Sequence, residues 1–83
     1  MTDLSTLAEL KPGEPARVTG LEGDTTTTRR VMALGFVPGT RVEVVRRSPL
    51  GDPTEYELRG VRVALRSAEA RLVRVARETP GAA

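Results

Sequence analysis

From Arg41 onward the chain alternates. Val42 and Val44 fall on one face of an extended segment, with Arg41 and Glu43 on the other. A period of two residues marks a half-buried strand. Tyr56 and Leu58 repeat the pattern against Glu55, Glu57 and Arg59. Val61, Val63 and Leu65 do so against Arg62, Ala64 and Arg66, and Val73 and Val75 flank Arg74. One further strand is predicted upstream, Ala16 to Leu21, with Ala16 and Val18 on one face. The period changes at Val31 and Leu34, three apart with Met32 beside them. That spacing predicts a helix of about two or three turns. Asp24 or one of Thr25–Thr28 can start it by accepting backbone N–H bonds, and Gly35 suits its end. Leu4, Leu7, Ala8 and Leu10 predict a short helical turn at the N-terminus, and Ser67–Ala70 another, capped by Ser67.

Turn residues punctuate these elements. Lys11-Pro12-Gly13-Glu14 and Phe36-Val37-Pro38-Gly39 place Pro before Gly, which presets one backbone angle and permits the other. Gly60 marks a tight corner, and "SPLGDP", Ser48 to Pro53, breaks a strand with two prolines and a glycine. The sum is five short strands, with one short helix between the first two. These are too few for a two-layer sandwich, but they can curl into a small barrel that hides most strand edges. Val42, Val44, Tyr56, Leu58, Val61, Val63, Leu65, Val73 and Val75 are expected to converge inside it. The fold class is therefore mainly β, in a single domain over residues 1–83. Its core is expected over about residues 4–76, and residues 77–83, which lack apolar periodicity, are expected to fray.

Composition then narrows the chemistry. The 83 residues include no Cys and no His, so there is no disulfide, no thiolate ligand and no imidazole base. Ser5, Ser48 and Ser67 have nothing to activate them, and the carboxylates are not grouped. An enzyme is not expected. No apolar run approaches the ~18–20 residues that span a bilayer. The start, with acids and no apolar stretch, reads as neither signal nor transit peptide, so a cytoplasmic location is expected. The net charge of +2 comes from interleaved signs, as around Arg41–Val44 and Glu55–Arg59. Such interleaving marks a solvated face.

The order of these pieces resembles a known family. Leu7 to Val18 leads into a helix ending "ALGFVPGTRVEVV", followed by "SPLGDPTEYELRGVRVALRSAEARLVRV". From about Leu4 to Ala76 this looks like FeoA, the ferrous iron transport protein A family. The resemblance implies an SH3-like barrel in the cytoplasm. It also implies partnership with FeoB, a membrane protein that carries ferrous iron and has a cytoplasmic GTPase domain. FeoA is then an accessory or regulator rather than the pore. The run Thr25–Thr28 is the main departure from the family pattern.

The candidate partner-binding residues are Met32, Phe36, Pro49 and Leu50, with Arg29 and Arg30 steering. Met32 and Phe36 flank the corner at Gly35, and each either fills the core or stays partly exposed. An exposed flexible Met suits an adaptable binding surface. Leu50 sits at a rigid loop tip, where it either folds back as a lid or is offered to a partner. Asp52 is expected to cap that turn. No metal site is expected, since ferrous iron favours imidazole with carboxylate and the acids are dispersed. No cofactor is expected either. Arg41, Arg59, Arg62, Arg66 and Arg74 could form a basic stripe, or a solvated face beside Glu43, Glu55 and Glu57. Two alternatives stand beside an FeoB-docking regulator. One is a relative of the C-terminal domain of metal-dependent transcriptional repressors. The other is a small nucleic-acid-binding barrel, which would want aromatic platforms that one Phe and one Tyr do not supply.

Overall fold

The computed structural model describes residues 4–78. Six strands form one antiparallel sheet: β1 (Leu4–Thr6), β2 (Pro15–Leu21), β3 (Arg41–Arg47), β4 (Thr54–Leu58), β5 (Val61–Leu65) and β6 (Val73–Arg77). Their order is β1-β6-β2-β3-β4-β5. Helix α1 (Thr26–Ala33) joins β2 to β3, and α2 (Ser67–Ala70) joins β5 to β6. A single 3-10 turn, Leu7–Glu9, follows β1.

The alternation seen in the sequence is the inside and outside of this sheet. Val42, Val44, Tyr56, Leu58, Leu65, Val73 and Val75 are all buried, and so are Ala16 and Val18 of β2. Leu7, Leu10 and Val31 seal the core from the 3-10 turn, the segment after it and α1. Tyr56 meets Phe36 edge to face, with ring centroids 6.1 Å apart at 86°. Such a pair adds about 0.5–1.5 kcal/mol beyond its burial. The Tyr56 hydroxyl donates a long 3.4 Å bond to the Leu7 carbonyl. Two bulges bend the sheet. Thr19 is the extra residue of β2 against β6, and Val45 that of β3 against β4. A bulge raises local twist and curls the strand.

The structure departs from expectation in four places. Leu4–Thr6 is a strand on β6 rather than part of a helical turn, so the sheet has six strands, not five. The sheet also does not close: β1 and β5 end the strand order unpaired with each other. Val61, expected inside, is 57% exposed, and Val63 is half-buried. Alternation puts both on the inner face, but nothing covers that face fully at the open edge. Arg77, placed by the sequence in the tail, completes β6, and Glu78 N–H donates to the Pro15 carbonyl at 3.1 Å. The rest of the expected tail lies outside the described residues.

Candidate functional site

Helix α1 begins where the threonines allow it. Thr25 is its N-cap, and its hydroxyl oxygen accepts the Thr28 N–H at 3.1 Å. Thr28 is itself buried, and its hydroxyl donates to the Glu22 carbonyl at 3.0 Å. The run therefore supplies both a cap and an anchor, which is why four poor helix formers tolerate a helix start. The helix ends at Gly35, whose φ of +116° few residues with a side chain adopt. The Gly35 N–H donates to the Met32 carbonyl at 2.9 Å. The chain then turns over Val37-Pro38-Gly39-Thr40. Thr40 N–H donates to the Val37 carbonyl at 3.1 Å, with Gly39 at φ +94°, as a type II turn requires. Pro38 and Gly39 thus take the second and third turn positions that the sequence predicts.

This corner separates the predicted contact residues. Phe36 is fully buried and packs on Tyr56, so it holds the corner from beneath and offers no surface. That corrects its place among the exposed contacts. Met32 is 39% exposed and Leu34 41%. Arg29 and Arg30 are both exposed and both paired: Arg29 Nε donates to Asp24 Oδ1 at 3.1 Å, and Arg30 pairs with Glu69.

The second patch is the loop between β3 and β4. The Gly51 N–H donates to the Ser48 carbonyl at 2.7 Å, closing a turn with Pro49 and Leu50 at its tip. Leu50 is 93% exposed, so it does not fold back over the barrel. Asp52 does not cap its own turn. Its Oδ1 accepts the Ser67 N–H at 3.1 Å, at the start of α2. Ser67 is accordingly the first residue of α2 and not its cap. Glu69 Oε1 accepts the Arg66 N–H at 2.8 Å instead.

Helix α2 joins the two patches. Its Glu69 carboxylate holds Arg30 of α1, and its first amide is held by Asp52 of the loop. Both patches are therefore fixed to one small element. The sequence did not single out Leu34 or Val61, both exposed. The signal for Val61 was masked, because alternation reports the face of a sheet and not how far that face is covered.

Beside α2 lies an open cleft of about 620 Å³, lined by Thr6, Glu9, Arg47, Thr54, Ser67 and Arg71 among others. Arg47 Nε donates to Thr54 Oγ1 at 3.2 Å, and its Nη2 to the Leu10 carbonyl at 2.7 Å. Glu9 accepts the Thr6 N–H at 2.8 Å. The outward arginines do not make a stripe of bare charge. Arg41 pairs with Glu43 and Glu78, Arg62 with Glu55, and Arg74 with Glu22. The Arg74 hydrogen bond and charge hold the Glu22 carboxyl below its ordinary value. Among the described residues no three acidic side chains gather as a metal site would need. None of their helices is long and apolar enough to cross a membrane.

A curled, bulged sheet with its core filled and apolar side chains offered at a corner and a loop tip is a small SH3-like β domain. Residues 5–77 match the FeoA domain family, and the chain belongs to that family. Over 69 residues it is 35% identical to the Fe(2+) transport protein A/Fe(2+) transporter FeoB fusion protein of Porphyromonas gingivalis. That match takes in 83% of this chain and 8% of the fusion protein, so the chain spans a small part of that relative's length. The solution structure of FeoA from Chlorobium tepidum shares 36% identity at a TM-score of 0.83, covering 94% of this chain and 74% of that one. The zinc complex of FeoA from Stenotrophomonas maltophilia, described as a procaryotic SH3 domain protein, shares 35% identity at 0.76, covering 86% and 88%. A manganese-dependent transcriptional repressor shares the fold alone, at 18% identity and a TM-score of 0.82 over 94% of this chain and 44% of the repressor. The family is associated with ferrous iron transport.

Proposed function

We propose that this chain is a non-catalytic cytoplasmic regulator that docks on the GTPase region of an FeoB-like ferrous iron transporter and biases its state. The observation that carries the reading is the Porphyromonas relative, in which the two proteins are one polypeptide. Tethering raises the effective concentration of one part at the other, which is useful only if the parts meet. The exposed patches suit such a meeting. Leu50 is a rigidly presented apolar tip, and Met32 with Leu34 forms a flexible apolar corner. Arg29 and Arg30 can exchange Asp24 and Glu69 for acidic groups on the transporter, and Phe36 sets the angle of the corner from the core. A regulator of this kind acts only through a difference in affinity for two states of its target.

The experiment is co-purification with the full-length transporter, with and without guanine nucleotide. Wild-type chain is expected to co-elute. The double variant Met32→Glu/Leu50→Glu keeps its fold, because both side chains are exposed, and is expected to lose about tenfold or more in affinity. Unchanged binding by the folded double variant would show that the contact lies elsewhere. No binding by the wild type would remove the docking reading altogether.

A further inference from the structure

Strand β5 is an edge strand whose single charged residue is Arg62. It terminates the sheet, so one side of its backbone pairs with β4 and the other faces away from the sheet. Edge strands are commonly protected by proline, a bulge or an inward-pointing charge. None of these occurs in Val61–Leu65. The pairs Leu58↔Val61, Tyr56↔Val63 and Thr54↔Leu65 put Val61, Val63 and Leu65 on the inner face. Exposure on that face runs from 57% at Val61 to 1% at Leu65, so the face is open at the hairpin end. The outer face carries Arg62 and Ala64, and then Arg66, whose backbone is still extended at φ −75°, ψ 156°. Glu57 lies opposite Arg62 in the ladder and Glu55 pairs with it at 3.8 Å, while Arg66 makes no ion pair among the described residues. Ala64 borders a shallow groove of about 250 Å³ with Pro49, Pro53 and Glu55.

We propose that β5 is a strand-addition site for an extended segment of a partner protein in which apolar residues alternate with acidic ones. Main-chain bonds to the free edge supply affinity, and the alternating side chains supply specificity. Apolar residues of the incoming strand seat against Val61 and Val63, where the inner face is open. Its acidic residues face Arg62 and Arg66. Five residues of edge, about 17 Å, set the length of the segment. A second copy of this chain is the poorer occupant. Two β5 strands paired about Val63 would crowd both copies' Arg62 and Arg66 onto one face, and like charges across a ladder are unfavourable. The site does not depend on which protein supplies the segment, and so stands apart from the docking surface proposed above.

The test is NMR amide exchange on the whole chain with a capped peptide of alternating valine and glutamate. A valine–lysine peptide is the control. The β5 amides that face away from β4 are expected to slow about tenfold or more with the acidic peptide and not with the basic one. Arg62→Glu/Arg66→Glu, at exposed positions, should weaken acidic-peptide binding about tenfold and admit the basic peptide. Val61→Lys should weaken the acidic peptide as well. Absence of slowing, equal slowing by both peptides, or slowing that rises with protein concentration and no peptide would each overturn the proposal. The last outcome would assign the edge to a second copy.

Discussion

At residue scale, Gly35 and Gly39 look alike in sequence and differ in what surrounds them. Both have positive φ, but a β-carbon at Gly39 meets nothing within 4 Å, whereas one at Gly35 meets Leu58 at 3.0 Å. Gly39→Ala is expected to cost about 1–2 kcal/mol for the backbone alone. Gly35→Ala should cost about 1 kcal/mol more, because the Leu58 side chain must also give way. Denaturant midpoints of the two variants check the order. Tyr56 gives a second residue-scale test. Burial pushes its phenol above the ordinary value near 10, outweighing the opposing pull of Arg47. The raised group contributes stability that is full below the ordinary value and is lost as pH rises through the folded one. As the chain has one tyrosine, phenolate absorbance is expected to rise together with unfolding, and Tyr56→Phe to extend the alkaline limit of stability. A phenolate signal that grows while the fold is intact would contradict this burial. The turn glycines and the inward Tyr56 were legible in the sequence. The burial of Phe36 was not, because a lone aromatic after a glycine has no neighbours of its own period to declare its face.

At the scale of elements, α2 is short but central. Glu69 caps it and also holds α1 through Arg30, while Asp52 ties it to the Leu50 loop. Glu69→Ala is expected to cost about 1–2 kcal/mol, read as a lower thermal midpoint. Leu50→Glu, fully outside, should change stability by less than about 0.5 kcal/mol. Phe36→Ala, in the core, should cost about 3–5 kcal/mol. If Leu50→Glu destabilised as Phe36→Ala does, the loop would be a lid after all. Helix α1 was legible from Val31, Leu34 and Gly35. Strand β1 was not, because three residues are too few to show alternation and Leu4–Thr6 is a strand only by pairing with β6. The capping of α2 was missed for a related reason. Ser67 is a good capping residue, but Asp52, distant in the chain, supplies the acceptor for its amide.

At the scale of the whole molecule, most of the apolar inner face fills the core, and recognition is left to the outside and to the open end of that face at Val61. Alternation in β3 to β6 was enough to predict a curled sheet. It could not predict closure, because closure depends on whether the first and last strands meet, and here β1 and β5 do not pair. The exposed apolar side chains Leu4, Met32, Leu34, Leu50 and Val61 accompany that shape. The candidate surface was legible where an apolar residue stood without a burying pattern, as at Leu50. It was hidden where a regular pattern suggested burial, as at Val61. The most direct measurement of the central claim is hydrogen exchange on the chain alone and in complex with the full-length transporter. The account predicts slower exchange on complex formation at the end of α1 and across Ser48–Pro53, with the buried strands β2, β3 and β6 unchanged. Protection that bypassed both patches, or core strands that opened on binding, would contradict it.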